Sequence, residues 1–109
     1  MDSISFSESA KACISCSLTC TACADLCLRE NDIDMMRECI KRCIECSEIC
    51  ALCARANQRK SSFSMELCTL CAKICDACGK ECARHQAEHC QQCAQACRQC
   101  AIECRKMAA

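Results

Sequence analysis

The stretch Cys13-Ile-Ser-Cys16-Ser-Leu-Thr-Cys20-Thr-Ala-Cys23-Ala-Asp-Leu-Cys27 sets five cysteines at steps of three and four residues in strict alternation. A strand would send residues three apart to opposite faces, whereas an α-helix gathers them into one stripe. The alternation is that of the a and d positions of a heptad, ordinarily Leu and Ile. It recurs three times: Cys39, Cys43, Cys46, Cys50 and Cys53; Cys68, Cys71, Cys75, Cys78 and Cys82; Cys90, Cys93, Cys97, Cys100 and Cys104. Every one of the 20 cysteines falls in one of these groups, so the spacing predicts four helices, each carrying a thiol stripe.

The rest of the composition agrees. The chain has 109 residues, one Gly and no Pro, and its hydrophobic fraction of 52% consists mostly of Cys and Ala. There is no Val, Trp or Tyr. A sheet would need β-branched strands and turn residues that are missing here, which leaves an all-α domain. Fourteen basic and 14 acidic residues cancel, so no cationic surface for nucleic acid is expected. The start, Met1-Asp-Ser-Ile-Ser-Phe-Ser-Glu8, lacks the basic segment of a signal peptide, and no apolar run reaches membrane-spanning length. The expectation is a cytoplasmic protein that does not engage membranes. In the cytosol thiols stay reduced, which directs them toward metal rather than disulfides.

Helices are expected near residues 6–29, 33–58, 64–84 and 86–106. Ser5-Phe-Ser-Glu8 has the spacing of a capping box, Asp32 or Asp34 can cap the second helix, and Ser64 precedes the third stripe. Short connections around Glu30 to Asp32, Arg59 to Phe63 and His85 imply antiparallel neighbours. The expected architecture is a single domain over 1–109, an up-down-up-down antiparallel four-helix bundle with a Cys-lined core. Ile, Leu and Ala beside the stripe would supply much of its packing. Gly79 falls inside the third helix with no evident role. Ile14, Leu18, Ile44, Leu52, Leu70 and Ile102 lie off the stripe and suggest contacts between bundles.

Twenty inward thiols have few uses. Helix axes about 8–10 Å apart put many Cα pairs beyond the about 7 Å that a disulfide bridges. A catalytic C-x-x-C dithiol is one exposed, tuned site, not a repeat down a core. Thiolates select soft ions: Cu(I), Zn(II) or iron in clusters. Two sulfurs flanking one ion stand about 4.6 Å apart, which an i, i+4 pair such as Cys16 and Cys20, or Cys93 and Cys97, can reach; such two-coordinate clips suit Cu(I) rather than Zn(II). Zinc tetrathiolates would each leave a buried net charge of about −2, whereas one Cu(I) per bridging thiolate leaves the core neutral. The expected cargo is therefore roughly twenty Cu(I) per chain, along a core about 20 Å long. A zinc or iron–sulfur bundle and a disulfide-stabilised helical scaffold remain as alternatives.

The four Cys helices, with Cys75-Asp-Ala-Cys-Gly-Lys-Glu-Cys82, His85, His89-Cys90 and Cys104-Arg-Lys-Met-Ala-Ala, resemble the bacterial cytosolic copper storage proteins along the whole chain. The resemblance implies a bundle folded before metal arrives, Cu(I) stored on the interior cysteines, a homotetramer, and one open end bearing His. His85 and His89 lie at the third connection, which up-down topology brings to the end that holds Met35 and Met36. These four residues are candidates for metal entry, imidazole and thioether being weaker Cu(I) ligands than thiolate; the plainer reading is surface His and filler Met. No Ser-His-Asp set, phosphate loop or paired-carboxylate site stands out, so no enzyme is expected. The partners expected are copper ions, further copies of the chain, and unidentified copper donor or acceptor proteins.

Overall fold

A computed structural model describes residues 2–109 as four α-helices: α1 (Glu8–Cys27), α2 (Ile33–Gln58), α3 (Ser64–Ala83) and α4 (Glu88–Ala108). Each packs against its two neighbours in a ring, α1 on α2 and α4, α3 on α2 and α4, and the molecule measures 53 × 26 × 17 Å. This is the up-down-up-down bundle that the stripes imply. Connections 28–32 and 84–87 share one end; connection 59–63 and both chain termini share the other. Among the described residues no helix is long and apolar enough to cross a membrane.

The helix starts correct the expected caps. Ser7, not Ser5, caps α1, its Oγ accepting the Ala10 N–H at 3.1 Å. The preceding backbone is held instead by Gln58 of α2, whose Nε2 donates to Ser5 O (2.6 Å) and whose Oε1 accepts from Ser7 N (3.3 Å). That delays the helix by two residues. Asp32 caps α2 through the Met35 N–H at 3.2 Å, while Asp34 pairs with Arg37. Ser64 is the first residue of α3 rather than its cap, and its Oγ donates to Ala56 O at 3.2 Å. α4 starts at Glu88, two residues late, because Gln91 Nε2 reaches back to Ala83 O (3.2 Å) and His85 O (2.6 Å) and fixes the corner outside the helix.

α2 closes on Lys60 with φ 55°; Ser61 N–H returns to Ala56 O at 2.9 Å and Lys60 N–H to Asn57 O at 3.2 Å. These two bonds make a Schellman motif, with Lys where Gly is usual.

The packing beside the thiols also departs from expectation. Ala10, Ser17 and Ala24 recur every seven residues along α1 and are buried, as are Ala72 and Gly79 on α3 and Ala94 and Ala101 on α4. Ser17 Oγ donates to Ser47 O at 2.8 Å, tying α1 to α2. These small side chains, with Ala54, flank the stripe, and of the large aliphatics only Ile40, Ile49, Leu67 and Ile74 pack partly against it. A Cβ on Gly79 would come within 3.2 Å of Cys97 Cβ and 3.5 Å of Ala94 O, so this glycine is what lets α3 approach α4. Large aliphatics at the flanks would hold the helices too far apart for sulfurs to meet across the axis.

Candidate metal centre

All four stripes face the bundle axis. The 20 cysteines are buried, none more than 2% exposed, and all are free thiols. Heptad spacing on straight helices delivers them in layers, because a 3-4 alternation drifts little around the helix over five positions.

The sulfurs form a near-continuous column. From the connection 28–32 end inward, Cys27 meets Cys39 (3.9 Å), Cys39 meets Cys82 (3.5 Å), Cys82 meets Cys43 (3.6 Å), and Cys43 meets Cys93 (3.6 Å). The path continues from Cys93 to Cys20 (3.5 Å), Cys20 to Cys97 (3.8 Å), Cys97 to Cys46 (3.9 Å) and Cys46 to Cys75 (3.7 Å). It then runs from Cys75 to Cys50 (3.6 Å), Cys50 to Cys100 (3.8 Å), Cys100 to Cys13 (3.5 Å) and Cys13 to Cys104 (3.6 Å).

Sulfurs within 4.8 Å of one another gather in fours that share members. Cys16 and Cys46 belong both with Cys50 and Cys75 and with Cys20 and Cys97; Cys20 and Cys97 belong also with Cys78 and Cys93. Further groups are Cys13, Cys71, Cys100 and Cys104, and Cys23, Cys39, Cys43 and Cys82. A mononuclear structural zinc site takes four ligands of its own. Overlapping groups instead fit thiolates that bridge successive ions.

The expected clips within one helix are only part of this geometry. Cys16 and Cys20 stand 3.9 Å apart, and Cys93 and Cys97 both lean on Cys20 of a different helix. Three sulfurs around one ion at zinc-like bond lengths need separations of about 4.0 Å, against about 4.6 Å for two in line. Sulfurs within 4.8 Å of one another admit both arrangements, and ligands from several helices converge at each point.

The two ends differ. At the 28–32 end, His89 Nδ1 lies 3.4 Å from Cys23 Sγ and 3.6 Å from Cys90 Sγ, and its Nε2 lies 3.0 Å from Glu30 Oε1. Met36 is buried in the same core, whereas Met35 is exposed. His85 bonds Glu81 at 2.9 Å and makes no hydrogen bond to sulfur. Of the four entry candidates, then, His89 and Met36 meet the core and His85 and Met35 do not. At the other end Asn57, which the sequence reading does not single out, is buried: its Nδ2 donates to Cys53 Sγ (3.7 Å) and its Oδ1 accepts from Cys68 Sγ (3.3 Å). Its place four residues after Cys53, where the stripe would next continue, is the available sequence signal.

Burial pushes the end-layer thiols up: Cys90 to about 11, with Cys27 and Cys68 raised as well, because a thiolate there loses hydration. Inside the column hydrogen bonds between sulfurs shift thiols in both directions. Cys13 receives the S–H of Cys100 and is held down to about 6, while Cys100 is pushed up by its bonds to Cys104 and Cys13. Protonated, the column is neutral.

Residues 3–109 match the family model described as copper storage protein. The chain belongs to the copper storage protein family. Among solved structures it is similar to the Cu(I)-bound copper storage protein BsCsp3, with 48% identity over 93% of this chain and 95% of that one and a TM-score of 0.88. It is similar also to apo-Csp3 from Bacillus subtilis (46% identity, 93% and 96% covered, TM-score 0.85). A cytosolic copper storage protein from Streptomyces lividans, seen with five coppers, shares 36% identity over 92% of this chain and 88% of its own, with a TM-score of 0.88. No curated protein sequence matches.

Membership in the copper storage family and the shared sulfurs favour the copper reading over zinc, iron–sulfur or disulfide alternatives. The 20 free thiols and their neutral column give such a protein its store: Cu(I) carries the charge of the proton it replaces, so loading adds no net charge to the core.

Proposed function

We propose that this chain stores Cu(I) on the thiolates of its core, at roughly one ion per cysteine or about twenty per chain. The observation that carries the reading is the overlap of the four-sulfur groups: Cys16, Cys20, Cys46 and Cys97 each serve more than one group. A bridging thiolate neutralises one Cu(I) in total while touching two. The 20 cysteines are the ligands on this reading, and the protein holds metal without turning over a substrate. Its working place is the cytosol, where thiols stay reduced; the Streptomyces lividans relative is a cytosolic protein. Competition tests the metal: a chain loaded anaerobically with zinc should release it quantitatively to added Cu(I), and retention of zinc against Cu(I) would overturn the reading.

Copper enters, on this account, at the 28–32 end, with His89 and buried Met36 as its first contacts inside. His89→Ala should slow uptake and leave final capacity unchanged, as followed by anaerobic transfer from a coloured chelator.

The assembly is a homotetramer. Ile14, Leu18, Ile44, Leu52, Leu70 and Ile102 are each at least 41% exposed, apolar area that a second copy would cover. Light scattering after size exclusion should give four times the 12.0 kDa chain mass; a monomer at micromolar concentration contradicts it.

A further inference from the structure

Two carboxylates face two imidazoles at the 28–32 end, and one of those imidazoles also faces sulfur. Glu30 belongs to the turn that ends α1, where its N–H donates to Cys27 O at 3.2 Å. Its carboxylate reaches across to α4, where Oε1 meets His89 Nε2 at 3.0 Å. The opposite edge of the same ring presents Nδ1 to Cys23 Sγ and Cys90 Sγ at 3.4 and 3.6 Å.

An ionised carboxylate can only accept hydrogen bonds, so the contact with Glu30 requires the proton on Nε2. A neutral imidazole has one N–H and one lone pair, and the lone pair is then on Nδ1, between two sulfurs. A ring turned over, or one protonated on Nδ1, would present C–H or N–H to the thiols and could not ligate a soft cation there. His85 shows that the pairing alone is not enough: its Nε2 bonds Glu81 Oε2 at 2.9 Å, but Glu81 is also taken by Arg84 at 3.1 Å and the ring makes no bond to sulfur.

We propose that Glu30 is a positioning residue for copper entry, holding His89 so that its Nδ1 lone pair and the Cys23 and Cys90 sulfurs face one arriving Cu(I) together. The proposal rests on the storage reading. It assigns to a residue in the first connection, on the opposite hairpin from His89, the task of keeping the ring in its ligating orientation, as carboxylates behind metal-binding imidazoles do.

The test is anaerobic Cu(I) transfer from a coloured chelator to the full chain and to Glu30→Ala, Glu30→Gln, His89→Ala and Glu30→Ala/His89→Ala, with nitrogen NMR of the metal-free imidazole as a second readout. Glu30→Ala should slow the first ions by about ten-fold and leave final capacity unchanged. Glu30→Gln, whose carbonyl still accepts from Nε2–H, should keep most of the rate. The double variant should be no slower than His89→Ala alone, and His89 should show a fixed Nε2–H form that Glu30→Ala loosens. The proposal is overturned if Glu30→Ala loads at the full rate, if the double variant is slower than His89→Ala by the same factor, or if Nδ1 carries the proton in the unaltered protein. A full chain that takes up no copper would instead remove the storage reading, and this proposal with it.

Discussion

Gly79 shows how narrow the tolerances are for one residue. Its α-hydrogen faces Cys97, and a methyl there would lie 3.2 Å from a Cβ that belongs to the facing helix and cannot swing away. Gly→Ala in a helix ordinarily gains up to about 1 kcal/mol. Overpacking a tight contact costs about 1–3 kcal/mol, so Gly79→Ala should destabilise the metal-free protein by about 1 kcal/mol net. Thermal unfolding should register a drop of several degrees, and a higher melting temperature would show that α3 and α4 can part at no cost. The sequence displays Gly79 only as a helix-weakening residue, because what it touches is fifteen or more residues away along the chain. Two further contacts, Asn57 with Cys68 and Glu30 with His89, likewise join different elements, and no local pattern pairs them.

At the scale of elements the heptad of thiols makes the helices and their inward faces legible, since periodicity is a local property that burial then enforces. Helix ends are less legible because they answer to neighbours. Ser5-Phe-Ser-Glu8 has the form of a cap, but Gln58 claims the Ser5 carbonyl and Ser7 does the capping. Ser7→Ala should therefore cost about 1 kcal/mol of stability and Ser5→Ala close to nothing. Equal effects in chemical denaturation would contradict that assignment. At that same end of α2, two residues past Gln58, Lys60 occupies a left-handed conformation at φ 55°. Lys60→Gly should raise stability by about 1 kcal/mol by relieving its Cβ crowding.

The whole molecule is organised around a column of cysteine sulfur flanked by small residues rather than by the Ile and Leu that usually fill a bundle. The exposed Ile and Leu face outward. Aliphatic identity alone does not reveal this, because Ala, Ser and Gly at heptad spacing read as weak core positions until the closeness of the helices gives them a purpose. The column also sets a pH dependence. Burial raises Cys27, Cys68 and Cys90 above the ordinary thiol value of 9.0, Cys90 to about 11. In the unfolded chain these thiols ionise at lower pH than in the fold. Their contribution to stability is therefore full below about pH 9 and is lost as pH rises toward about 11. Melting temperatures of the metal-free protein should hold level to about pH 8.5–9 and then fall; a rise over that range would mean that thiolates are favoured inside.

Anaerobic titration with Cu(I) against a competing chelator, read by thiolate-to-copper ultraviolet absorption, tests storage on shared thiolates most directly. The account predicts tight uptake to roughly twenty ions per chain, with protons released as thiols become ligands. Saturation at five ions or fewer would mean separate four-thiolate sites and would contradict it.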